Sequence, residues 1–292
     1  MNYTLEELCL EITNDCLLKC IHCSSNSPSP HFLDKSLIFK TLTQFEELGG
    51  TQLEISGGEP LLHPHLPEIL KYCENVPFST IIYSSGISKK FSQNILGNYS
   101  VDKVIVSLYG DRRRTKEITG ADCYSTTLNF ISSLRREGID VEVHFPLMKP
   151  SYQSFSHVLK ICEDLGVKKL KLLRLIPQGR ARLNWKRLHI PEKELRDFIL
   201  KVRSTKTSVE IEFGNPLRAY LNQKMECKAA VSTCLIDSRG FIYPCPALKH
   251  HFLLCAGNIH DQPLTHLWRS GFEAIRSFRE YTRSTECLAS WI

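Results

Sequence analysis

Three cysteines stand in the run Cys16-Leu-Leu-Lys-Cys20-Ile-His-Cys23, directly after the apolar segment 8–12. Thiols spaced CxxxCxxC on one short loop can be aimed at a single point. Zinc sites more often use paired CxxC units with a second pair or histidines nearby. Iron–sulfur clusters are held by thiolates too, normally four of them. Three ligands on a four-iron cluster would leave one iron open, able to bind a small molecule and pass it an electron. The next apolar run ends in Ile55-Ser56-Gly57-Gly58-Glu59-Pro60. Glycines let the backbone come close to a ligand, and a carboxylate or carbonyl can accept hydrogen bonds from an ammonium group.

Taken together and in this order, the two motifs resemble those of the radical S-adenosylmethionine (SAM) superfamily. His22 stands where that family usually has an aromatic-type residue, and Gly57-Gly58-Glu59-Pro60 resembles its GGEP segment. The resemblance implies a [4Fe-4S] cluster on Cys16, Cys20 and Cys23, and SAM at its open iron. Gly57, Gly58 and Glu59 would meet the methionine end of SAM. Ser107-Leu-Tyr-Gly110 resembles the family's fourth-strand segment, where a serine contacts SAM; a strand-end serine satisfying the backbone is the plainer reading. Ser84-Ser85-Gly86 stands where relatives often have Thr-Asn-Gly, which leaves hydroxyls but no amide, with Ser84 as the candidate contact. Arg174, in Leu173-Arg-Leu-Ile-Pro-Gln-Gly-Arg180-Ala181, could pair with the SAM carboxylate, with a substrate anion or in an ion pair at the core edge. The implied chemistry is reductive cleavage of SAM to methionine and a 5′-deoxyadenosyl radical, which takes a hydrogen atom from substrate. It needs an electron donor of flavodoxin or ferredoxin type.

A second cysteine set follows: Cys227, Cys234, Cys245, Cys255 and Cys287, with Gly257-Asn258-Ile259 and Leu267-Trp268 among them. This order resembles the SPASM/twitch extension of radical SAM enzymes, which implies an auxiliary [4Fe-4S] cluster. Cys227, Cys245 and Cys287 would be ligands. Relatives often close with CxxC, and here the second position is Ser290. The fourth ligand is Cys234 or Cys255, with Cys234 giving the more compact set. Cys255 is then a free thiol that could return a hydrogen atom to substrate, or it packs beside Leu253 and Leu254. A structural zinc in the hairpin region is the competing metal reading. Cys9, Cys73, Cys123 and Cys162 lie in or beside apolar elements and read as packing.

Short apolar runs alternate with amphipathic segments and must position these motifs. Strands are expected at 8–12, 52–56, 79–84, 103–108, 141–147 and 169–176, and helices at 36–48, 65–74, 126–137, 155–165 and 191–204. Strand–helix alternation implies a parallel sheet. The motifs all fall at carboxyl ends of strands, where ligands gather. The expected architecture is α/β: a partial (β/α)6 radical SAM barrel over 1–214 and a small twitch-like β-hairpin/helix extension over 215–292, with a hairpin turn at 237–240. His144, on the fifth strand, reads as a core histidine.

Composition limits the alternatives. The chain has 292 residues, 42% of them hydrophobic, with a net charge of +6. No apolar run is long enough for a bilayer, and the start lacks the features of a signal peptide. Twelve cysteines without a secretion signal suit metal or cluster ligation in a reducing compartment, the cytoplasm. Arg112-Arg113-Arg114 reads as a solvated loop rather than a phosphate or nucleic-acid contact, and no aromatic-interleaved basic patch indicates nucleic acid. Only Met1-Asn2-Tyr3-Thr4-Leu5-Glu6-Glu7 precedes the first strand, so no leader-binding domain is expected there. The substrate is then a sugar or aminoglycoside, or a peptide bound without such a domain. Two outcomes compete: epimerisation with Cys255 as hydrogen donor, and two-electron oxidation or crosslinking through the auxiliary cluster. A non-catalytic iron–sulfur protein explains the cysteines but not Gly57-Gly58-Glu59.

Overall fold

The computed structural model describes residues 3–25, 29–88, 95–224, 226–282 and 287. Parallel strands alternate with helices in its first part: β1 Glu7–Thr13, β2 Gln52–Gly57, β3 Ser79–Tyr83, β4 Lys103–Ser107, β5 Asp140–Leu147, β6 Lys169–Arg174 and β7 Glu210–Phe213. Between them run α1 Lys35–Glu47, α2 Leu66–Cys73, α3 Arg112–Thr119, α4 Tyr124–Arg136, α5 Phe155–Asp164, α6 Gly179–Leu183, α7 Trp185–Leu188 and α8 Glu192–Arg203. All six expected strands are present and pair in chain order. β7 adds a strand beyond them, pairing in parallel with β6. It is four residues long and alternates glutamate with apolar residues, a weak signal for a strand at a sheet edge.

Alternation along each strand decides what faces where. Leu8, Leu10 and Ile12 of β1, Leu53 and Ile55 of β2, Val104 and Val106 of β4, and Leu170 and Leu172 of β6 join the main apolar core. The helices supply the other half of that core, for example Ile38, Leu42 and Phe45 of α1 and Phe130, Ile131 and Leu134 of α4. Asp34 starts α1 by accepting from the amides of Ser36 and Leu37 at 2.8 and 3.3 Å. The intervening strand residues face the opposite way. Ser56, Tyr83, Ile105, Ser107, Lys171, Leu173 and Glu212 line a cavity of about 950 Å³.

The C-terminal part contains α9 Asn215–Arg218, β8 Thr233–Ile236, β9 Phe241–Tyr243, β10 Gly257–Asn258, α10 Leu264–Ser270 and α11 Glu273–Thr282. β8 and β9 form the expected hairpin, and Asp237 shapes its turn by accepting from the amides of Arg239 and Phe241 at 2.9 and 3.0 Å. The hairpin joins the sheet of the first part. β8 lies parallel to β1, with Leu8 opposite Cys234 and Leu10 opposite Ile236. One ten-stranded sheet results, in the order β10-β9-β8-β1-β2-β3-β4-β5-β6-β7. No helix among the described residues is long and apolar enough to cross a membrane.

Arg276 of α11 secures this return. Its Nε donates to the Ala230 carbonyl and its Nη1 to the Trp268 carbonyl, both at 2.7 Å. Its guanidinium lies 4.4 Å from the Tyr3 ring centroid and 4.5 Å from that of Trp268. Hydrogen bonds from a buried charged group and two cation–π contacts are lost together in Arg276→Leu, so unfolding free energy should fall by about 3 kcal/mol in urea denaturation. A loss under about 1 kcal/mol would show that the C-terminal helices are held by apolar packing alone.

Candidate active site

The loop after β1 carries all three cysteines of the first motif and is held on two sides. On one side it lies against the end of β2. Gly58 N donates to Thr13 O and Glu59 N to Asp15 O, both at 2.7 Å. A Cβ on Gly57, at φ +138°, would sit 2.0 Å from Thr13 O, and one on Gly58 would sit 2.1 Å from Asp15 O. Backbone meets backbone here, so only glycine fits. On the other side, Lys19 N and Ile21 N donate to Thr119 O and Ile118 O of α3 at 3.0 and 2.9 Å. Arg180 N donates to Cys23 O at 2.9 Å and Arg180 Nε to Cys20 O at 2.8 Å.

Cys16, Cys20 and Cys23 line the cavity together with Gly57, Gly58, Glu59, Ser84, Ser107 and Arg174. Every residue that the sequence assigned to the cluster or to SAM is thus gathered round one space. The thiols suit a cationic centre. Burial pushes Cys16 up to about 11 and raises Cys20 further, with Cys23 and Cys16 adding repulsion at Cys20. Cys16 and Cys20 would not ionise side by side here without a positive partner. Leu18 N donates to Cys16 Sγ at 3.4 Å, a contact that stabilises a thiolate. Among the described residues, no three His, Cys, Asp or Glu side chains form a site for a single metal ion. Three thiols on the wall of one cavity are the donor type that an iron–sulfur cluster takes.

Glu59 has a different part to play from direct exposure to a ligand. It is buried, and its carboxylate accepts from Ser84 Oγ at 2.7 Å, Ser85 N at 2.8 Å, Ser85 Oγ at 2.6 Å and Leu61 N at 3.2 Å. Burial pushes its carboxyl up, against the pull of these donors. The side chain ties the end of β2 to the end of β3. Ser85, named in the sequence only as part of the Ser84-Ser85-Gly86 segment, supplies two of these donors. Ser107 hydrogen-bonds the Tyr109 hydroxyl. The Tyr109 ring lies 5.0 Å from that of His22, which burial keeps neutral, with its pKa lowered to about 4. Arg174 has no hydrogen bond or ion pair among the described residues. His144 is a buried residue bonded through Nε2 to Glu142 Oε1 at 2.9 Å, away from the cavity wall.

The second cysteine set is divided by the fold. Cys287 lines the same cavity, beside Pro246 and Ala247, which directly follow Cys245. Cys227 is half-buried. Cys234 is fully buried on β8 within the main core. Cys255 packs with Cys9, Leu235 and Tyr243, donates to Gly257 O at 3.4 Å and does not line the cavity. Ser290 lies outside the described residues. Of the cysteines read as packing, Cys73 and Cys162 are in the core, whereas buried Cys123 is also part of the cavity wall. Lys249 had no signal in the sequence. It is 1% exposed, and its Nζ donates to Glu11 Oε1 at 2.6 Å and to Ser25 Oγ at 2.9 Å.

This fold and site define an enzyme class, and comparison with known proteins agrees. Residues 10–165 match the radical SAM superfamily model, and residues 227–289 match the SPASM model, an iron–sulfur cluster-binding domain. The chain belongs to the radical SAM superfamily, with SAM and iron–sulfur clusters as its cofactors. An AdoMet-dependent heme synthase of Nitratidesulfovibrio vulgaris is 21% identical, over 96% of this chain and 83% of its own length. A probable GTP 3′,8-cyclase of Saccharolobus solfataricus is 25% identical, over 68% of this chain and 66% of its own length. The crystal structure of Streptococcus suis SuiB bound to precursor peptide SuiA superposes with a TM-score of 0.78 at 19% identity, covering 96% of this chain and 68% of SuiB. It confirms the partial barrel with a C-terminal extension.

Two predictions follow from the site geometry. Alanine at Cys16, Cys20 or Cys23 should abolish 5′-deoxyadenosine formation under dithionite; a triple variant that still forms it would remove the loop from the chemistry. Glu59→Ala strands buried donors at the strand ends, costing about 3 kcal/mol of stability. It should also weaken SAM binding at least tenfold by equilibrium dialysis, and unchanged affinity would show that the tie between β2 and β3 does not shape the SAM site.

Proposed function

We propose that this radical SAM enzyme oxidises its substrate by two electrons, as a dehydrogenase or crosslinking enzyme, rather than epimerising it. The observation that carries the reading is the placement of two cysteines. Cys287 borders the cavity that Cys16, Cys20 and Cys23 also border, whereas Cys255, the candidate hydrogen donor, is turned into a contact with Cys9. A hydrogen donor must reach the substrate carbon, and Cys255 is not among the residues that line the cavity. When bound, the clusters and SAM supply hydrogen-atom abstraction from a substrate carbon and a sink for the electron that oxidation releases. Cys227, Cys245 and Cys287 are the residues that would hold the auxiliary cluster, in a C-terminal unit over 215–292 that follows a barrel over 1–214.

The chain's own residues then bind and orient. Gly57 and Gly58 offer bare backbone at the cavity wall, while Ser84 and Ser107 place hydroxyls there. Arg174 brings a guanidinium without a protein partner, suited to a carboxylate of SAM or of substrate. Lys171, on the same wall, is already paired with Glu212 at 2.9 Å and offers less. The breadth of the cavity suits a peptide segment or another natural product of that size. That SuiB is seen bound to a precursor peptide supports the peptide reading.

Anaerobically reconstituted protein should hold roughly eight irons and eight sulfides, as two four-iron clusters. Cys245→Ala or Cys287→Ala should lower that count to about four, keep 5′-deoxyadenosine formation and lose product. In deuterated water, mass spectrometry should show a product lighter than substrate by two hydrogens, with Cys255→Ser turning over normally. A product of unchanged composition carrying one solvent deuterium, lost in Cys255→Ser, would establish epimerisation instead.

A further inference from the structure

The triple-arginine run is not a loop but the first turn of α3, and α3 is one half of a platform behind the cysteine loop. The other half is α6–α7. Ile118 of α3, Ala181 of α6 and Leu188 of α7 form a small apolar cluster with Met148, against which Ile21 of the loop packs. Arg187 and Glu117 bridge the two halves at 2.7 Å. The inner side of the platform meets the loop directly, through Thr119, Ile118, Arg180 and Asn184, the last donating to Ile21 O at 3.1 Å.

The outer side is cationic. Arg112 and Arg187 are exposed but spend their charge on Asp122 and Glu117. Arg113, Lys116, Arg182 and Lys186 are exposed and have no ion pair among the described residues. Arg113 and Lys116 share a face of α3 at i,i+3, and Glu117, bonded to Arg187, lies one turn beyond Arg113, so the two halves present their charges together. An apolar side chain stands with them: Leu183, between Arg182 and Lys186 in the chain, is 73% exposed. An exposed apolar tip beside unpaired charge of one sign suits an interaction surface.

We infer that this α3–α6–α7 platform docks a small acidic one-electron carrier protein, of flavodoxin or ferredoxin type, that reduces the cluster held by Cys16, Cys20 and Cys23. The occupant is chosen by charge and by position. Unpaired cations steer an acidic partner. The platform is hydrogen-bonded to the backbone of Cys20, Ile21 and Cys23, so a carrier seated on it lies behind the loop that carries the thiols. One electron leaves the reduced carrier and enters the cluster, and no atom or proton changes place. The inference rests on the radical SAM chemistry of the loop and is independent of which substrate is oxidised.

The test uses the reconstituted holoenzyme and two charge-reversed forms, Arg113→Glu/Lys116→Glu and Arg182→Glu/Lys186→Glu. None of these residues lies in the SAM or cluster site. Driven by dithionite, which needs no docking, both should form 5′-deoxyadenosine within twofold of the unaltered enzyme. Driven by a reduced flavodoxin, both should need at least tenfold more carrier for half-maximal rate. Binding of the oxidised carrier, followed by calorimetry, should weaken in parallel and lose most of its salt dependence. Unchanged carrier binding and carrier-driven rate in both variants would overturn the proposal. So would a loss of affinity for a single-stranded RNA oligomer with carrier binding intact, which would assign the platform to nucleic acid. Should either variant fail with dithionite too, the single reversal Lys186→Glu and the carrier-binding measurement decide. Loss of dithionite-driven cleavage in the unaltered enzyme would instead count against the radical SAM assignment itself.

Discussion

The approach of two backbones, Gly57-Gly58 on Thr13-Asn14-Asp15, is the constraint on which the site depends. Hydrogen bonds of 2.7 Å from Gly58 N and from Glu59 N hold them together, and a Cβ at either glycine would lie about 2 Å from a carbonyl oxygen. The cysteine loop leaves β1 immediately afterwards, so this contact sets where its thiols begin. Glu59, the next residue, carries the constraint onward to Ser84 and Ser85. Three strand ends are thereby fixed relative to one another at the wall of the cavity.

A second tie runs from the C-terminal part into the same loop. Lys249 is buried, and its ion pair with Glu11 has to offset the cost of removing two charges from water. It also holds Ser25, two residues beyond Cys23, while the His250 ring bonds Ser24 O at 3.1 Å. His250 adopts φ +70°, a conformation costly for a residue with a side chain, and in doing so follows a lysine directed inward with a histidine directed at the loop. The extension thus contributes to the wall of the site as well as to the sheet. The lumen behind it is charged but compensated: Lys103 and His144 on Glu142, Lys171 and Lys169 on Glu212. Burial acts against ionisation of Glu142, yet the His144 hydrogen bond and the nearby lysines hold its carboxyl at about 2. Arg174 stands out against this background as a cavity cation that the protein leaves uncompensated.

Much of the site was legible in the sequence because its chemistry is local. Cys16, Cys20 and Cys23 fall within eight residues, and Gly57-Gly58-Glu59 are consecutive. Alternating runs of apolar residues located six strands, since strands and helices bury faces of different period. Two short strands about an Asp-Ser-Arg-Gly turn located the hairpin. What these signals determined was the cluster loop, the parallel sheet and the ends of strands at which ligands gather.

The tertiary structure decided the rest, because it depends on pairings between residues far apart in the chain. No local pattern shows that β8 lies beside β1, which brings Leu8 and Cys234, from opposite ends of the chain, to one register. The same holds for Lys249 on Glu11 and for Arg180 on Cys20. It holds most of all for the second cysteine set, in which the sequence left Cys234 and Cys255 as alternatives. Packing put Cys287 at the cavity, Cys234 in the core and Cys255 against Cys9. The arginine run shows the same division: its residue types were plain from the sequence, but only the packing of α3 against Ile21 placed that charge behind the cysteine loop.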